Sequence, residues 1–268
     1  MRSVHQGNAA ESANAEPWST AITATTGDRV FVRGLALDEA IGNWTFADVV
    51  FLLWTGREGT PAERAALDAC LVAAVDHGAL APSALAARTV ATTQAGRMPA
   101  LAAGILAFGS LHGAAVTVAM ELLSELGPDE HPRDWATRIF DRERGAGRRI
   151  PGIGHRWHER DRRAERLLDI ASSVGGDRFA TAERAIADVV AGHSGRAAPV
   201  NIDGGLAAVL TSLGLPPVFG DFAFATARSA GLAAHIVEET QRERPMRTID
   251  PTRVEYDGPD IGQKEDAG

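Results

Sequence analysis

Apolar positions along this chain recur mostly at helical spacing, and the exceptions lie near the start. Residues 1–17, MRSVHQGNAAESANAEP, are polar and without period, which predicts a flexible arm. ITATTGDRVFVRG follows, two short β-prone runs around the turn TTGD, the one strand signal in the sequence. FADVVFLLWTG carries a helical apolar run closed by Gly56. TPAERAALDACLVAAVDHG opens with a capping box, Thr60 and Glu63, with Pro61 at the first helical position. PSALAARTVATTQAG, PALAAGILAFGSLHG and AAVTVAMELLSELG are rich in alanine with small residues closely spaced, as in helices that pack tightly and bury nearly every side. RDWATRIFDRER, DRRAERLLDIASSVG and FATAERAIADVVAGH keep charge on one side. GGLAAVLTSLG and FGDFAFATARSAGLAAHIVEETQRE turn apolar again, and the tail RPMRTIDPTRVEYDGPDIGQKEDAG reads as an extended segment that docks rather than folding alone.

The pattern predicts an all-α fold with a short N-terminal β element, in two helical domains. Residues 18–114 and 215–268 form the larger domain and residues 115–214 the smaller, more polar one, with a ligand cleft between them. The 268 residues, 45% of them hydrophobic, are enough to bury a core. A net charge of −8 argues against broad nucleic-acid or anionic-membrane binding, so any basic cluster serves a small anion. The single cysteine, Cys70, excludes an internal disulfide and fits a reducing compartment. No apolar run approaches membrane-spanning length and no secretory leader pattern opens the chain, so a cytoplasmic location is expected.

Three polar residues interrupt small or apolar stretches, each beside glycine: His112 in FGSLHGAAV, His155 in PGIGHR and Asp203 in VNIDGGLAAV. Glycine there permits a sharp turn or the close approach of a ligand. Taken singly, each has a plainer reading. Asp203 would serve as a helix cap, His112 and His77 as satisfied helix-end histidines, and Arg228 as an arginine with a buried stem. The run Arg156, His158, Arg160, Arg162 and Arg163 behind His155 would be a solvated helix start, although cations at a helix N-terminus are disfavoured unless an anion joins them. His155-x-x-His158-x-x-Asp161 has no accompanying Glu-x-x-His or His-x-x-x-His pair, so no metal site is expected. Phosphate-binding glycine loops and GxSxG are absent, and Cys70 lies in a core-like helix.

Taken in order, these segments resemble the citrate synthases and the related citryl-CoA lyases. PGIGHRWHERDRRAERLL is similar to their PGxGH...DPRA segment, LHG to the preceding histidine motif, and NIDGGLAAVLTSLGLPP to the following aspartate motif. FVRGLALDEAIGNWTFADVVFLLWTG, DHGALAPSALAAR, FAFATARSAGLAAHIVEE and RPMRTIDPTRVEYDGP match further family segments, so the likeness runs from about Ile22 to the tail. The resemblance implies a homodimer of two-domain helical subunits whose tail reaches the partner's site. It implies that His112 bonds the thioester carbonyl of acetyl-CoA, that Asp203 exchanges the methyl proton, and that His155 serves as acid or base at the oxaloacetate carbonyl. His77, Arg163, Arg228 and Arg244 would hold carboxylates, with Arg247 the alternative to Arg244. Pro151, Gly152, Ile153 and Gly154 would form the loop passing close to coenzyme A. The aspartate–arginine element lies one residue closer to His155 than in the family pattern, which points to Arg163 over Arg162, and a family histidine is replaced by Ala74.

The activity so implied is that of a citryl-CoA lyase, with a coenzyme A thioester as substrate and no separate cofactor. The alternative is a citrate or 2-methylcitrate synthase, a transferase that also hydrolyses the thioester. A non-catalytic relative that binds CoA or a partner protein is a third class, and it has no chemical need to keep His112, His155 and Asp203 together.

Overall fold

The computed structural model describes residues 19–113, 115–154, 160–248 and 250–259, and the chain divides between Asp68 and Ala69 into two compact units. His155 and His158 lie outside the described residues.

The unit ending at Asp68 carries the expected β element. Strands β1 (Thr23–Thr26) and β2 (Arg29–Val32) pair antiparallel about the two-residue turn Gly27-Asp28, and a short β3 (Leu35–Ala36) joins β2 through Arg33-Gly34. Arg33 and Gly34 both have positive φ, the geometry that matches a two-residue hairpin to the twist of its strands. Two residues are too few to give β3 a visible alternation, so the sequence pattern passed over it. Helices α1 (Leu37–Ala40) and α2 (Phe46–Thr55) follow. A reciprocal Thr45–Asp48 capping box starts α2, and Gly56, left-handed, ends it as expected. Helix α3 (Pro61–Ala74) opens on the expected Thr60–Glu63 pair and runs across the division.

The unit from Ala69 is helical. It contains α4 (Pro82–Thr92), α5 (Arg97–Leu106), α6 (Ala115–Ser124), α7 (Pro132–Gly145), α8 (Arg162–Ala171), α9 (Asp177–Ser194), α10 (Ile202–Ser212) and α11 (Phe219–Arg242). The alanine-rich stretches do pack closely: Ala84, Ala87 and Ala100 of α4 and α5 meet Leu232 and Ile236 of α11, all buried. Gly104 leaves room there for the Leu232 side chain. Around α10 a second set gathers, with α6, α8 and α9 against it and α7 against α9. Residues Gly204 to Leu210 of α10 are all buried, which explains its uninterrupted apolar sequence. Helices α8 and α9 are separated by a bend at Ser172–Gly176, where Val174 and Gly175 leave helical geometry.

One crossing positions the chemistry. The loop Pro151-Gly152-Ile153-Gly154 runs antiparallel to residues 199–201, with Ile153 bridged to Val200. Gly154 N donates to Pro199 O (2.7 Å) and Asn201 N donates to Gly152 O (2.8 Å). Asn201 also donates from Nδ2 to Gly154 O (2.9 Å) and accepts from Asp203 N (2.9 Å), so one side chain ties the loop and caps α10. Gly152 passes so close to α10 that a Cβ on it would stand 2.7 Å from Gly204 Cα, and a Cβ on Gly204 would stand 2.8 Å from Gly152 O.

Gly152 also has φ near +78°. Gly152→Ala therefore combines backbone strain with a backbone clash, and a loss of roughly 2–5 kcal/mol is expected in urea denaturation. An unchanged midpoint would show that the crossing is loose.

Candidate active site

Asp203 stands on the first turn of α10, just beyond the Asn201 cap. A helix N-terminus ordinarily favours a charged carboxylate. Here burial wins and pushes the carboxyl up to about 6, against the pull of the Arg228 and Arg163 cations, with the Asp161 and Asp221 carboxylates adding to the rise. The plain helix-cap reading of Asp203 does not hold, because Asn201 performs the capping.

Arg228 is buried in the middle of α11. Its Nε donates to Ala74 O (2.9 Å) and its guanidinium lies over the Phe224 ring, 4.6 Å from the centroid. Among the described residues its Nη1 is buried without a hydrogen-bond partner. Burial holds its pKa below the usual arginine value, but arginine stays charged throughout the working range. A cation so placed, with a donor to spare, is suited to an anion.

Arg163, on the first turn of α8, is half-buried and forms a two-armed pair with the buried Asp161, Nε to Oδ1 (3.1 Å) and Nη2 to Oδ2 (2.9 Å). Asp161 also caps α8 through Arg163 N (3.0 Å). Desolvation would raise the Asp161 carboxyl, but the Arg163 bond and charge leave it below the usual carboxylate value. Arg163 Nη1 stands 3.4 Å from His77 Nδ1, whereas Arg162 is exposed on the same turn. His77 projects from the loop after α3, at a turn where Gly78 N donates to Asp76 Oδ2 (2.9 Å).

His112 is half-buried just before α6. Its Nε2 is 2.9 Å from Oγ of the fully buried Ser83 on α4, and its ring leans against Phe108 and Phe224. Gly113 has positive φ, and a Cβ there would crowd Phe224. Phe224 thus links the two sides, with His112 at its edge and Arg228, one turn along α11, on its face.

The structure therefore brings Asp203, Arg163 and Arg228 into one electrostatic neighbourhood, with His77 against Arg163 and His112 joined through Phe224. Arg244 stays apart: it is exposed on the tail, and its carbonyl oxygen accepts from Thr92 Oγ1 (3.4 Å). Arg247 is engaged within its own chain, Nε and Nη2 meeting the buried Glu239 carboxylate at 2.7 and 2.6 Å. Met246 N and Arg247 N donate to Thr92, so the tail first docks on its own α4. Among the described residues no group of three His, Cys, Asp or Glu side chains could hold a metal ion, and no helix is long and apolar enough to cross a membrane. Sequence reasoning passed over Ser83 and Phe224, and weighed Asp161 as a metal ligand rather than as the partner of Arg163. Ser83 sits inside the quoted DHGALAPSALAAR segment, so a signal was present, but a serine on a buried helix face gives no sign of what it will meet.

With this geometry in view, the chain was compared with known proteins. The family model "Citrate synthase, C-terminal domain" matches residues 56–249. The putative citrate synthase 2 of Mycobacterium tuberculosis is 32% identical over 212 residues, covering 77% of this chain and 54% of that protein. The chain spans about half the length of such curated relatives. Among solved structures, citryl-CoA lyase from Hydrogenobacter thermophilus superposes with a TM-score of 0.81 at 33% identity, over 91% of this chain and 95% of that one. ATP citrate lyase from Methanothrix soehngenii, solved with citrate and coenzyme A, shares the fold with a TM-score of 0.77 at 20% identity, over 94% of this chain and 44% of that one.

The raised Asp203 carboxyl makes a stability prediction. A carboxyl at about 6, against an ordinary 3.8, holds its proton more tightly when folded, so its contribution to stability falls as pH rises from about 4 to 6. At pH 7 the full cost of the buried charge is present, and Asp203→Asn is expected to stabilise the protein by roughly 2–3 kcal/mol, a gain that vanishes below about pH 4. Thermal or urea unfolding across pH checks it, and a destabilised variant at pH 7 would contradict it.

Proposed function

The chain belongs to the citrate synthase family, and we propose that within it the protein is a citryl-CoA lyase, cleaving citryl-CoA to acetyl-CoA and oxaloacetate. The observation that carries this reading is the likeness, over nearly the whole of both chains, to a solved citryl-CoA lyase, and the Asp203 carboxyl, pushed up to about 6, suits the chemistry. In the cleavage direction an acid must deliver a proton to the enol carbon of the departing acetyl-CoA, and a carboxyl at its ordinary value would hold that proton far more rarely near neutrality. The 33% identity to a solved citryl-CoA lyase supports the same choice.

In this mechanism His155 takes the citryl hydroxyl proton, and the oxygen's electron pair forms the oxaloacetate carbonyl. The carbon–carbon bond breaks, its electrons pass into the thioester enolate, and His112, with its ring set by Ser83, hydrogen-bonds the enolate oxygen. Asp203 then protonates the carbon. The buried Nη1 of Arg228 gains a carboxylate partner, and Arg163 with His77 takes another. The loop Pro151–Gly154 borders the coenzyme A side. In the proposed homodimer Arg244 reaches the other subunit's site, since Arg247 is held by Glu239.

A second reading, citrate or 2-methylcitrate synthase, is favoured by the names of the curated relatives. The two readings separate in two assays. Given citryl-CoA, a lyase releases oxaloacetate, followed by a coupled NADH reaction; given acetyl-CoA with oxaloacetate, it liberates no free thiol. Thiol release in the second assay would replace the lyase by a synthase, and no turnover in either would remove both. Asp203→Ala is expected to lower carbon–carbon cleavage by roughly 10²–10⁴-fold while coenzyme A still binds. Undiminished turnover in that variant would remove this mechanism.

A further inference from the structure

Helix α11 does more than supply Arg228. Arg228, Gly231 and His235 follow one another at spacings of three and four, hence on one face, and together they grip the end of α3 and the loop after it, which carries His77. Arg228 Nε donates to Ala74 O (2.9 Å). Gly231 lets the helix backbone meet the loop so closely that a Cβ there would collide with the Val75 carbonyl oxygen. His235 Nε2 lies 3.0 Å from Asp76 Oδ1, and the other oxygen of Asp76 closes the turn at Gly78 (2.9 Å). On the far side of the imidazole, His235 Nδ1 is 3.4 Å from Nη1 of Arg88, a nearly buried residue that also pairs with Glu239 (2.7 Å) and Glu238 (3.0 Å). Arginine can only donate, so Nδ1 accepts and the ring proton stands on Nε2, pointed at Asp76.

We infer that His235 is a positioning residue for oxaloacetate binding, acting through the Asp76 turn that sets His77 against Arg163. The inference rests on the proposed carboxylate role of His77. It differs from a packing role because it affects one substrate and leaves the other alone. A misplaced His77 weakens the hold on the keto acid, whereas the coenzyme A loop at 151–154 depends on Asn201 and Gly204 and not on Asp76.

Calorimetric titration of the 268-residue chain with oxaloacetate, and separately with coenzyme A, tests it in four variants. His235→Phe is expected to weaken oxaloacetate by about tenfold and coenzyme A by less than about twofold. His235→Gln, whose amide can donate to Asp76, restores oxaloacetate binding. Asp76→Asn keeps one acceptor oxygen for two donors, His235 Nε2 and Gly78 N, and so reproduces the selective loss; it stands in for His235→Phe should that variant not fold. Equal weakening of both ligands, or no rescue by glutamine, overturns the inference. His77→Ala separates the two levels. If it weakens oxaloacetate while His235→Phe and Asp76→Asn do not, the positioning role is wrong; if it has no effect, the carboxylate role of His77 fails and the inference with it.

Discussion

The site depends on two peptide backbones touching where no side chain intervenes. Gly152 and Gly204 bring the Pro151–Gly154 loop onto the first turn of α10, and that contact sets backbone close beside Asp203. A β-carbon on Gly152 would meet main chain alone, that of Gly204 nearest, and one on Gly204 would meet Gly152 O together with the Glu183 and Val200 side chains at 2.8 Å, so loop and helix would have to part. On the other flank Gly205 does the same for α8, where a Cβ would stand 3.0 Å from Ala164 Cα. The Asp-Gly-Gly run is thus a carboxylate followed by two clearances, one for the loop and one for the helix that carries Arg163.

Desolvation of Asp203 has an electrostatic consequence that the neighbouring arginines temper. Two cations nearby would by themselves pull the carboxyl far down, and burial by itself would push it up; the balance leaves it near 6. The arginines are not equivalent in this. Arg163 is largely committed to Asp161, whose charge opposes its influence on Asp203, while Arg228 keeps a buried donor without a partner. A negative charge placed against that donor would weaken the cation's pull on Asp203, and the carboxyl would then hold its proton more firmly.

Much of this was legible in the sequence, for reasons that can be named. The capping pair Thr60–Glu63, the left-handed Gly56 and the alanine spacing of α4 and α5 are local signals, set by residues within a turn of each other, and the structure bears them out. His112, Asp203 and Arg228 stood out because polar groups in apolar runs need partners. The partners did not stand out. Ser83 is 29 residues from His112, and Asp76 is 159 from His235; an ordinary serine or a helix-end aspartate says nothing about which distant element it will meet. Asp161 was weighed as a metal ligand, yet among the described residues it serves as the cap of α8 and the counter-ion of Arg163. Spacing along the chain shows which residues share a face, and only packing shows what that face opposes.

Helix α11 shows how far a single face can extend that logic. Phe224, Arg228, Gly231, His235 and Glu239 fall on one stripe of four turns, and each meets a different part of the site or its support: the His112 ring, the Ala74 carbonyl, the Val75 backbone, the Asp76 carboxylate and the tail's Arg247. A rigid helix fixes the distances between these contacts, so the His112 ring, the loop that carries His77 and the tail anchor are set by one element. The tail is included in that rule. Because Arg247 is locked to Glu239 on α11, the residues just before it leave the helix at a defined place, and Arg244 is presented outward from there. The buried Glu239 thus fixes where the tail departs from α11, and the exposed Arg244 follows from that anchor.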